Sequence, residues 1–257
     1  MVKRLTSVTV AVNKIFFSEF NGHEVIESHF HDWKTHEQSK YFKFIQWCHD
    51  KGHDDAKIKK KIAQNWFMLA NYRANVGKKV HRVIQDHLEH GHDYHEEDHG
   101  TIEFDFNLIL QDPEKVFNFC KWDQVPVMGE FNQFKEALTF IHEQGYVFHK
   151  SEFYVKSEKL GLKGIIDAIF KKGDEFLIID WKRCLDLSLK CEISKFCEKE
   201  PFKGKVRNDK HGKFTVQLNL YSRILEKEYD MKVAGLAIVQ VHGTLENFRY
   251  HEIEKIL

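Results

Sequence analysis

The 257-residue chain has little of what marks a disulfide-bonded or membrane-spanning protein. Its five cysteines are odd in number and scattered, with no Cys-x-x-Cys pair, which argues against a disulfide framework and favours a reducing compartment. No apolar run approaches the length that spans a bilayer, and polar residues interrupt the N-terminus too often for a signal peptide. We therefore expect an intracellular protein with no membrane partner.

The chain also has no excess charge of one sign and little proline. Basic and acidic residues number 39 each, so a nucleic-acid partner would require a local basic patch. Only three prolines and no Ser/Gly-rich tract are present, so we expect no flexible interdomain linker. We predict a single domain over residues 1–257, with a mainly helical elaboration at 1–75 and the core of the domain at 76–257.

The spacing of apolar residues changes along the chain from helical to strand-like. A spacing of three or four residues predicts helices, and a period of two or a short apolar run predicts strands. Residues 7–20 form a β-like or mixed segment, and residues 89–100 are polar and unpatterned, which predicts a loop. The predicted helices lie within 35–90, 112–144 (two helices) and 213–229. The predicted strands are 146–157, 163–170, 175–183, 233–242 and 248–253. This order predicts an α/β or α+β sheet covered by helices.

Acids and a lysine lie inside two of these predicted strands, in the stretch KGIIDAIFKKGDEFLIIDWKR. Asp180 and Lys182 share one face of a strand, and a tight turn would bring Asp167 close to Asp180. Glu152, in the preceding strand, extends the acidic cluster. Such oxygen-rich sites suit Mg²⁺ or Mn²⁺, which activate water and stabilise the leaving oxygen of a phosphodiester, while a lysine stabilises the developing charge. For a lone Asp-x-Lys, the alternative is a buried ion pair or an exposed strand end.

Four short motifs, taken in order, resemble a known nuclease superfamily. Gly164-Ile-Ile-Asp167 and Ile178-Ile-Asp180-Trp-Lys182 resemble the core motif of the PD-(D/E)xK nucleases. Gln217-Leu-Asn-Leu-Tyr221 is similar to the QxxxY motif of the RecB-like branch, and Gly77-Lys-Lys-Val-His81 resembles its GxxxH element. With Ser7-Val-Thr, the arrangement is similar to the mitochondrial genome maintenance exonuclease group and its phage and viral relatives. The resemblance covers roughly residues 75–250.

The resemblance implies a restriction-endonuclease-like core, with a mixed central sheet flanked by helices and an N-terminal helical elaboration. It implies four catalytic residues, Asp167, Asp180, Lys182 and Glu152. It implies metal binding by His81, Asp167, Asp180 and Trp181. The positions predicted to bind substrate are Gln217, Tyr221, Arg183, Lys78 and Arg82. One or two Mg²⁺ or Mn²⁺ ions are expected, and no iron–sulfur cluster, because Cys184, Cys191 and Cys197 lack the cluster spacing.

The function implied by these residues is that of a metal-dependent deoxyribonuclease. We expect an exonuclease that hydrolyses single-stranded or end-exposed DNA in replication, repair or recombination. Two alternatives stay open: a structure-specific or sequence-specific endonuclease with the same core, and a catalytically inert nuclease-fold subunit that binds DNA. An HD-type phosphohydrolase is disfavoured, because that class is all-helical and the second half of this chain is rich in strands.

Other residues suggest contacts with DNA or metal, each with a simpler alternative. The basic run 203–213 would bind phosphates, together with Lys78, Lys79, Arg82 and Arg183. The alternative is that the run forms a solvated loop. Trp66, Tyr72 and Trp181 would stack on bases, or else belong to the core. Five histidines suggest zinc, but their irregular spacing favours a solvated loop that binds metal adventitiously: His87, His90, His92, His95 and His99.

Overall fold

The computed structural model describes residues 5–16, 21–95, 102–187, 200–207 and 209–257. The chain divides into two compact units. One, the sheet unit, comprises Met1–Ser18, Val80–Glu96 and Val127–Leu257. The other, the helical unit, comprises Glu19–Lys79 and Glu97–Pro126. The helical unit thus includes a second segment that lies outside the predicted elaboration at 1–75.

The sheet unit contains a mixed six-stranded sheet. Its elements are β1 (Thr6–Ser7), α1 (Val8–Ile15), the last turns of α4 (Asp55–His90), α6 (Met128–Glu143), β2 (Val147–Ser157), β3 (Leu162–Lys172), β4 (Glu175–Arg183), α7 (Lys210–Glu228), β5 (Lys232–Val241) and β6 (Arg249–Glu252). The strand order is β1-β3-β4-β5-β6, with β2 paired to β3. The β2–β3, β3–β4 and β5–β6 pairs are antiparallel, whereas β1–β3 and β4–β5 are parallel.

Helices cover both faces of the sheet, because successive apolar side chains along its strands point to opposite faces. On one face, α1 and α7 bury Val12, Val216 and Leu225 against a core that includes Ile178 and Ile238. On the other face, α6 packs against β4, where the ring of Phe134 meets Trp181 edge-on at 5.3 Å between centroids. The predicted α/β class, with a mixed central sheet flanked by helices, is confirmed.

The helical unit has its own aromatic-rich core. It contains α2 (Gly22–Thr35), α3 (Phe42–Asp50), the first part of α4, α5 (Phe106–Gln111) and a 3₁₀-helix (Trp122–Gln124). Phe30, Phe44 and Ile62 are buried in this core, and Trp66 Nε1 donates a hydrogen bond to the Tyr41 hydroxyl at 3.1 Å. Within the described ranges, no helix combines the length and apolar character required to cross a bilayer.

The five predicted strands of the second half are confirmed, whereas several helical predictions were wrong. Residues 112–144 contain one α-helix, α6, rather than two, because Pro113 and Pro126 interrupt the stretch before it. Helix α2 was missed because it buries only Ile26 and Phe30, so its apolar period is weak. Within the mixed segment at 7–20, Val8–Ile15 form the helix α1, and residues 17–20 lie outside the described part of the chain. Helix α4 continues to residue 90, into the predicted loop.

Candidate active site

The candidate site forms where two neighbouring strands separate. Main-chain pairing between β3 and β4 ends at Ala168 and Ile179, while β4 continues along β5 as far as its last residue. Beyond that point the Asp167 carboxylate replaces the missing backbone partner, because its Oδ2 accepts a hydrogen bond from the Trp181 N–H at 3.0 Å. The opening between the strands therefore holds the carboxyl groups of Asp167 and Asp180 in adjacent positions.

Three side chains from three elements meet at this opening, close enough together to hold a metal ion. His81 on α4, Glu152 on β2 and Asp167 on β3 each offer one ligand atom, and these atoms lie within 4.8 Å of one another. His81 Nδ1 is 3.5 Å from Asp167 Oδ2. Among the described residues, this is the one group of three or more His, Cys, Asp or Glu side chains so arranged. The structure thus brings together three residues that the sequence analysis drew from distant motifs.

Glu152 is held in the group by a strained backbone. Its φ of 43° lies in the left-handed region, which costs a non-glycine residue about 1–3 kcal/mol. Its neighbours Ser151 and Phe153 pair with Ala168 and Ile166, so Glu152 stands opposite Asp167. Partial burial raises the pKa of the Glu152 carboxyl, the Asp167 carboxylate raises it further, and His81 lowers it. The residue as a whole is exposed, so desolvation is incomplete, and a cation between the two carboxylates would relieve their repulsion.

Asp180 and Lys182 form an ion pair inside the sheet unit. Asp180 is 3% exposed, and burial raises its carboxyl pKa to about 6, with Lys182 lowering it and Asp167 raising it. The Lys182 ammonium lies 2.7 Å from Asp180 Oδ2, but this buried oxygen receives no well-aligned hydrogen bond. The contact is therefore an ion pair in which one carboxylate oxygen retains capacity for another cationic partner.

The Lys182 side chain keeps its positive charge because of these acids. Burial alone would lower the pKa of the ammonium group, but the carboxylates of Asp180 and Asp167 outweigh it, so the pKa is raised. The ammonium also lies 4.7 Å from the centroid of the Phe214 ring, a cation–π contact from the first turns of α7. The site thus holds a fixed cation beside two acids.

Gln217 and Tyr221 lie one turn apart on α7, and both side chains make hydrogen bonds within the protein. Burial raises the pKa of the Tyr221 hydroxyl to about 12, with further increases from Asp180 and Asp167. The Gln217 side chain and the Ile165 backbone hydrogen-bond to the same hydroxyl and lower that pKa. Because Tyr221 is 3% exposed, its ring has almost no surface for a substrate strand. This geometry indicates that Tyr221 positions α7 against β3.

Gly164, on β3, leaves the space that the buried ring of Tyr221 occupies. A Cβ atom added at Gly164 would lie 2.6 Å from ring atom Cε1 and 2.8 Å from the hydroxyl of Tyr221. By contrast, a Cβ added at Gly77, inside α4, meets nothing within 4 Å, so the packing of the described chain does not require that glycine. The close approach of helix and sheet therefore occurs at Gly164, where Tyr221 on α7 meets β3.

Gly164→Ala is therefore expected to lower the free energy of unfolding by about 1–3 kcal/mol, because the buried Tyr221 ring must shift. Urea denaturation followed by circular dichroism measures the change. Gly77→Ala is the matched control and is expected to raise stability by about 0.5–1 kcal/mol, since it removes a helix-interior glycine without a clash. Equal stability of Gly164→Ala and the wild type would contradict the packing described for Tyr221.

The cationic residues predicted to bind substrate fall into two groups. Arg183 is a buried structural residue: its side chain is 6% exposed, and its Nε donates to Glu130 Oε1 at 2.8 Å, which leaves almost no surface for a phosphate. Lys78 and Arg82 are exposed on α4, and the Lys78 ammonium donates to Asn75 Oδ1 at 3.3 Å. Sequence reasoning missed Glu130, because an acid on an amphipathic helix carries no signal of a buried partner.

The aromatic residues considered for base stacking also differ from one another. Trp181 is 2% exposed and packs on Phe134, so it belongs to the core and is not a stacking surface. Trp66 is half-buried in the helical unit. Tyr72 donates to the Cys120 carbonyl at 3.0 Å and lines an apolar cavity of about 460 Å³ within the helical unit, together with the exposed ring of Phe67.

The histidine-rich stretch is partly helical. His87 and His90 lie in α4 and not in the predicted loop, and the His87 ring meets Phe131 and Phe134 edge-on. His92 Nδ1 lies 3.1 Å from an Asp86 carboxylate oxygen. His99 falls outside the described residues, as do two of the cysteines, Cys191 and Cys197. The remaining three cysteines are free thiols: Cys48, Cys120 and Cys184.

No protein-family model matches this chain, and a search of curated proteins returns no match. The side chains that suggest a function are those gathered where β3 and β4 separate. They comprise an imidazole, three carboxyl groups and a charged ammonium within one unit of the fold.

Proposed function

We propose that this chain is a metal-dependent deoxyribonuclease of the RecB-like branch of the PD-(D/E)xK superfamily. Its substrate would be single-stranded or end-exposed DNA, cut by hydrolysis as an exonuclease. The observation that carries the proposal is the group of His81, Glu152 and Asp167, whose ligand atoms lie within 4.8 Å, beside the buried Asp180–Lys182 pair. The chain order α6-β2-β3-β4-α7-β5 is compatible with a restriction-endonuclease-like core.

The donor set fits a divalent cation such as Mn²⁺ or Mg²⁺. Carboxylate oxygens suit both ions, and an imidazole nitrogen is a better ligand for Mn²⁺. The facing carboxyl groups of Glu152 and Asp167, and the Asp180 Oδ2 that lacks an aligned hydrogen bond, are the features a cation would satisfy. His81, Glu152, Asp167 and Asp180 would hold the ion, which would supply activation of water and neutralisation of phosphate charge.

The remaining residues would act on the phosphate and on the site itself. Lys182 presents a fixed positive charge next to the acids, where it would stabilise the negative charge that develops on the phosphate during attack. Tyr221 and Gln217 would act as positioning residues, because they lock α7, and with it Phe214 beneath the Lys182 ammonium, against β3.

The proposal is tested by incubating the protein with end-labelled linear and circular single-stranded DNA, in Mn²⁺, in Mg²⁺ and in EDTA. We expect the linear strand to be degraded only with metal and the circle to stay intact, because an exonuclease requires an end. Cutting of the circle would overturn the exonuclease assignment in favour of the endonuclease alternative. Binding of DNA without any cleavage, together with no heat of Mn²⁺ binding by calorimetry, would contradict the enzyme and favour the inert subunit.

A further inference from the structure

A second polar cavity lies in the sheet unit, at the start of α7 and the end of β5. It encloses about 300 Å³, and the side chains that matter for its chemistry are Arg207, His211, Gln240, Arg249 and His251. None of the residues assigned to the candidate active site lines it. Two of its residues, Arg207 and His211, belong to the basic run noticed in the sequence, whereas Arg249 and His251 come from β6, which carried no functional signal.

One wall of the cavity is built on a fully buried amide. Gln240 is 0% exposed, and its Nε2 donates to the carbonyl oxygens of Cys184 and Leu185, both at 2.9 Å. Its Oε1 is therefore an acceptor, and the His251 Nε2, 3.0 Å away, carries the proton of that hydrogen bond. This contact fixes the His251 ring, and the pairing of Gln240 with Arg249 places the arginine on the adjacent strand.

The opposite wall is the entrance to α7. Asp209 caps the helix by accepting a hydrogen bond from the Gly212 N–H at 2.8 Å, and its other oxygen lies 3.1 Å from Arg207 Nε. A Cβ at Gly212 would come within 1.9 Å of the Arg207 carbonyl oxygen, so this tight entrance depends on glycine. It brings the His211 ring to 6.3 Å from that of His251. The Arg207 side chain remains 55% exposed, so its guanidinium keeps donors free of Asp209.

The cavity lining contains two cations, Arg207 and Arg249, and two acids, Asp186 and Asp209. Asp209 is already committed to Arg207 and the helix cap. Lys182 of the candidate active site pairs across the sheet with Gln240, and Gln240 lines the cavity. The cavity therefore adjoins the candidate active site.

We propose that this cavity binds a second phosphate group of the DNA strand, away from the scissile one. One guanidinium group can donate two parallel hydrogen bonds to a phosphate, and imidazole N–H groups supply further donors at such sites. Lys182 pairs with Gln240 and Gln240 with Arg249, so Lys182 and Arg249 stand two strand spacings apart, about 10 Å. A nucleic-acid strand covers that distance in a few nucleotides, at about 3.4 Å per step. This inference rests on the proposed function for the source of the phosphate, but not for the phosphate chemistry.

The phosphate chemistry is tested first, with inorganic phosphate as the ligand. Titration of the wild type is expected to shift the NMR signals of the His211 and His251 rings, assigned through His→Asn variants, in a saturable way. Arg249→Gln is expected to weaken this binding about tenfold or more, because a charge-assisted contact is lost. Arg73→Gln, at an exposed arginine of the helical unit, is the matched control and should leave the titration unchanged. Histidine signals that do not move with phosphate would overturn the site.

The source of the phosphate is tested with labelled oligonucleotides bound by the Lys182→Met protein. Arg249→Gln in that background is expected to lower affinity and to reduce the salt dependence of log K by about one counterion. An equal loss with and without a terminal phosphate identifies an internal diester, and a loss only with the terminal phosphate identifies an end group. Unchanged DNA affinity would overturn the cavity but leave the nuclease proposal standing. Absence of metal-dependent cleavage by the wild type, with phosphate binding intact, would instead overturn the nuclease and keep the cavity.

Discussion

Asp180→Asn is expected to lower the rate of metal-dependent DNA cleavage by on the order of 10³-fold. The substitution keeps the shape of the side chain but removes the charge that would hold a cation. It also removes the acid that keeps the Lys182 ammonium charged, since Asp180 is the largest of the contributions that raise that pKa. Initial rates on end-labelled linear single-stranded DNA, with saturating Mn²⁺, measure the effect.

A matched control separates this effect from a general loss of negative charge. Asp174→Asn changes an exposed acid in the turn between β3 and β4, outside the candidate site, and should cleave DNA at the wild-type rate. Circular dichroism should show both variants folded, because asparagine fits the space of aspartate and needs no counter-charge. Full cleavage by Asp180→Asn would remove the main support for the proposed mechanism.

The strands were predictable because buried strands have a recognisable apolar pattern in the sequence. The stretches 163–170, 175–183 and 233–242 are apolar runs bounded by turn residues, and all are strands of the sheet. Helices that bury one or two residues have no such pattern, which is why α2 was missed. The order of helices and strands then sufficed for the fold class, because strands that alternate with covering helices have few ways to pack.

The chemistry of the site was visible for a different reason. A carboxylate or an ammonium inside an apolar strand conflicts with burial, so Asp167, Asp180 and Lys182 stand out without any structure. Residues whose role depends on a distant partner do not stand out. Arg183 resembled a phosphate ligand until Glu130 on α6 proved to be its partner.

Two features of the site could be found only from coordinates. The left-handed backbone of Glu152 depends on the pairing of β2 with β3, and a glutamate at that position does not predict it. The requirement for Gly164 depends on a tyrosine that lies 57 positions further along the chain and meets it only after α7 packs on the sheet. Both are consequences of tertiary contact, which local sequence patterns do not encode.

Lys182→Met is expected to slow cleavage and to destabilise the protein, and the loss of stability identifies the role of the ion pair. Loss of the ammonium should lower the rate by about 10²–10³-fold, as for the loss of one group that stabilises transition-state charge. It also leaves the carboxylate of Asp180 buried without its counter-charge, which costs about 3–5 kcal/mol when one partner of a buried pair is removed. Unfolding in urea without metal measures this cost.

The pH dependence of that cost has a definite sign. The pKa of Asp180 is raised in the folded protein and rises further without Lys182, so the folded state holds a proton that the unfolded state has released. Stability is then full below the unfolded pKa and is lost as the pH rises through the folded pKa. We therefore expect Lys182→Met to be close to wild-type stability at about pH 5 and to be most destabilised at about pH 8. Lys163→Met, at an exposed lysine of β3, should show no such trend.

Combining Lys182→Met with Asp180→Asn should restore the lost stability without restoring activity. A neutral pair removes both buried charges, and with them the cost of about 3–5 kcal/mol for leaving one buried charge unpaired. The double variant should therefore be more stable than Lys182→Met at about pH 8, and its pH trend should disappear. A double variant that stays as unstable as Lys182→Met would mean that the pair supports the fold. A stable, inactive double variant would mean that the buried charges are kept for their chemistry at the expense of stability.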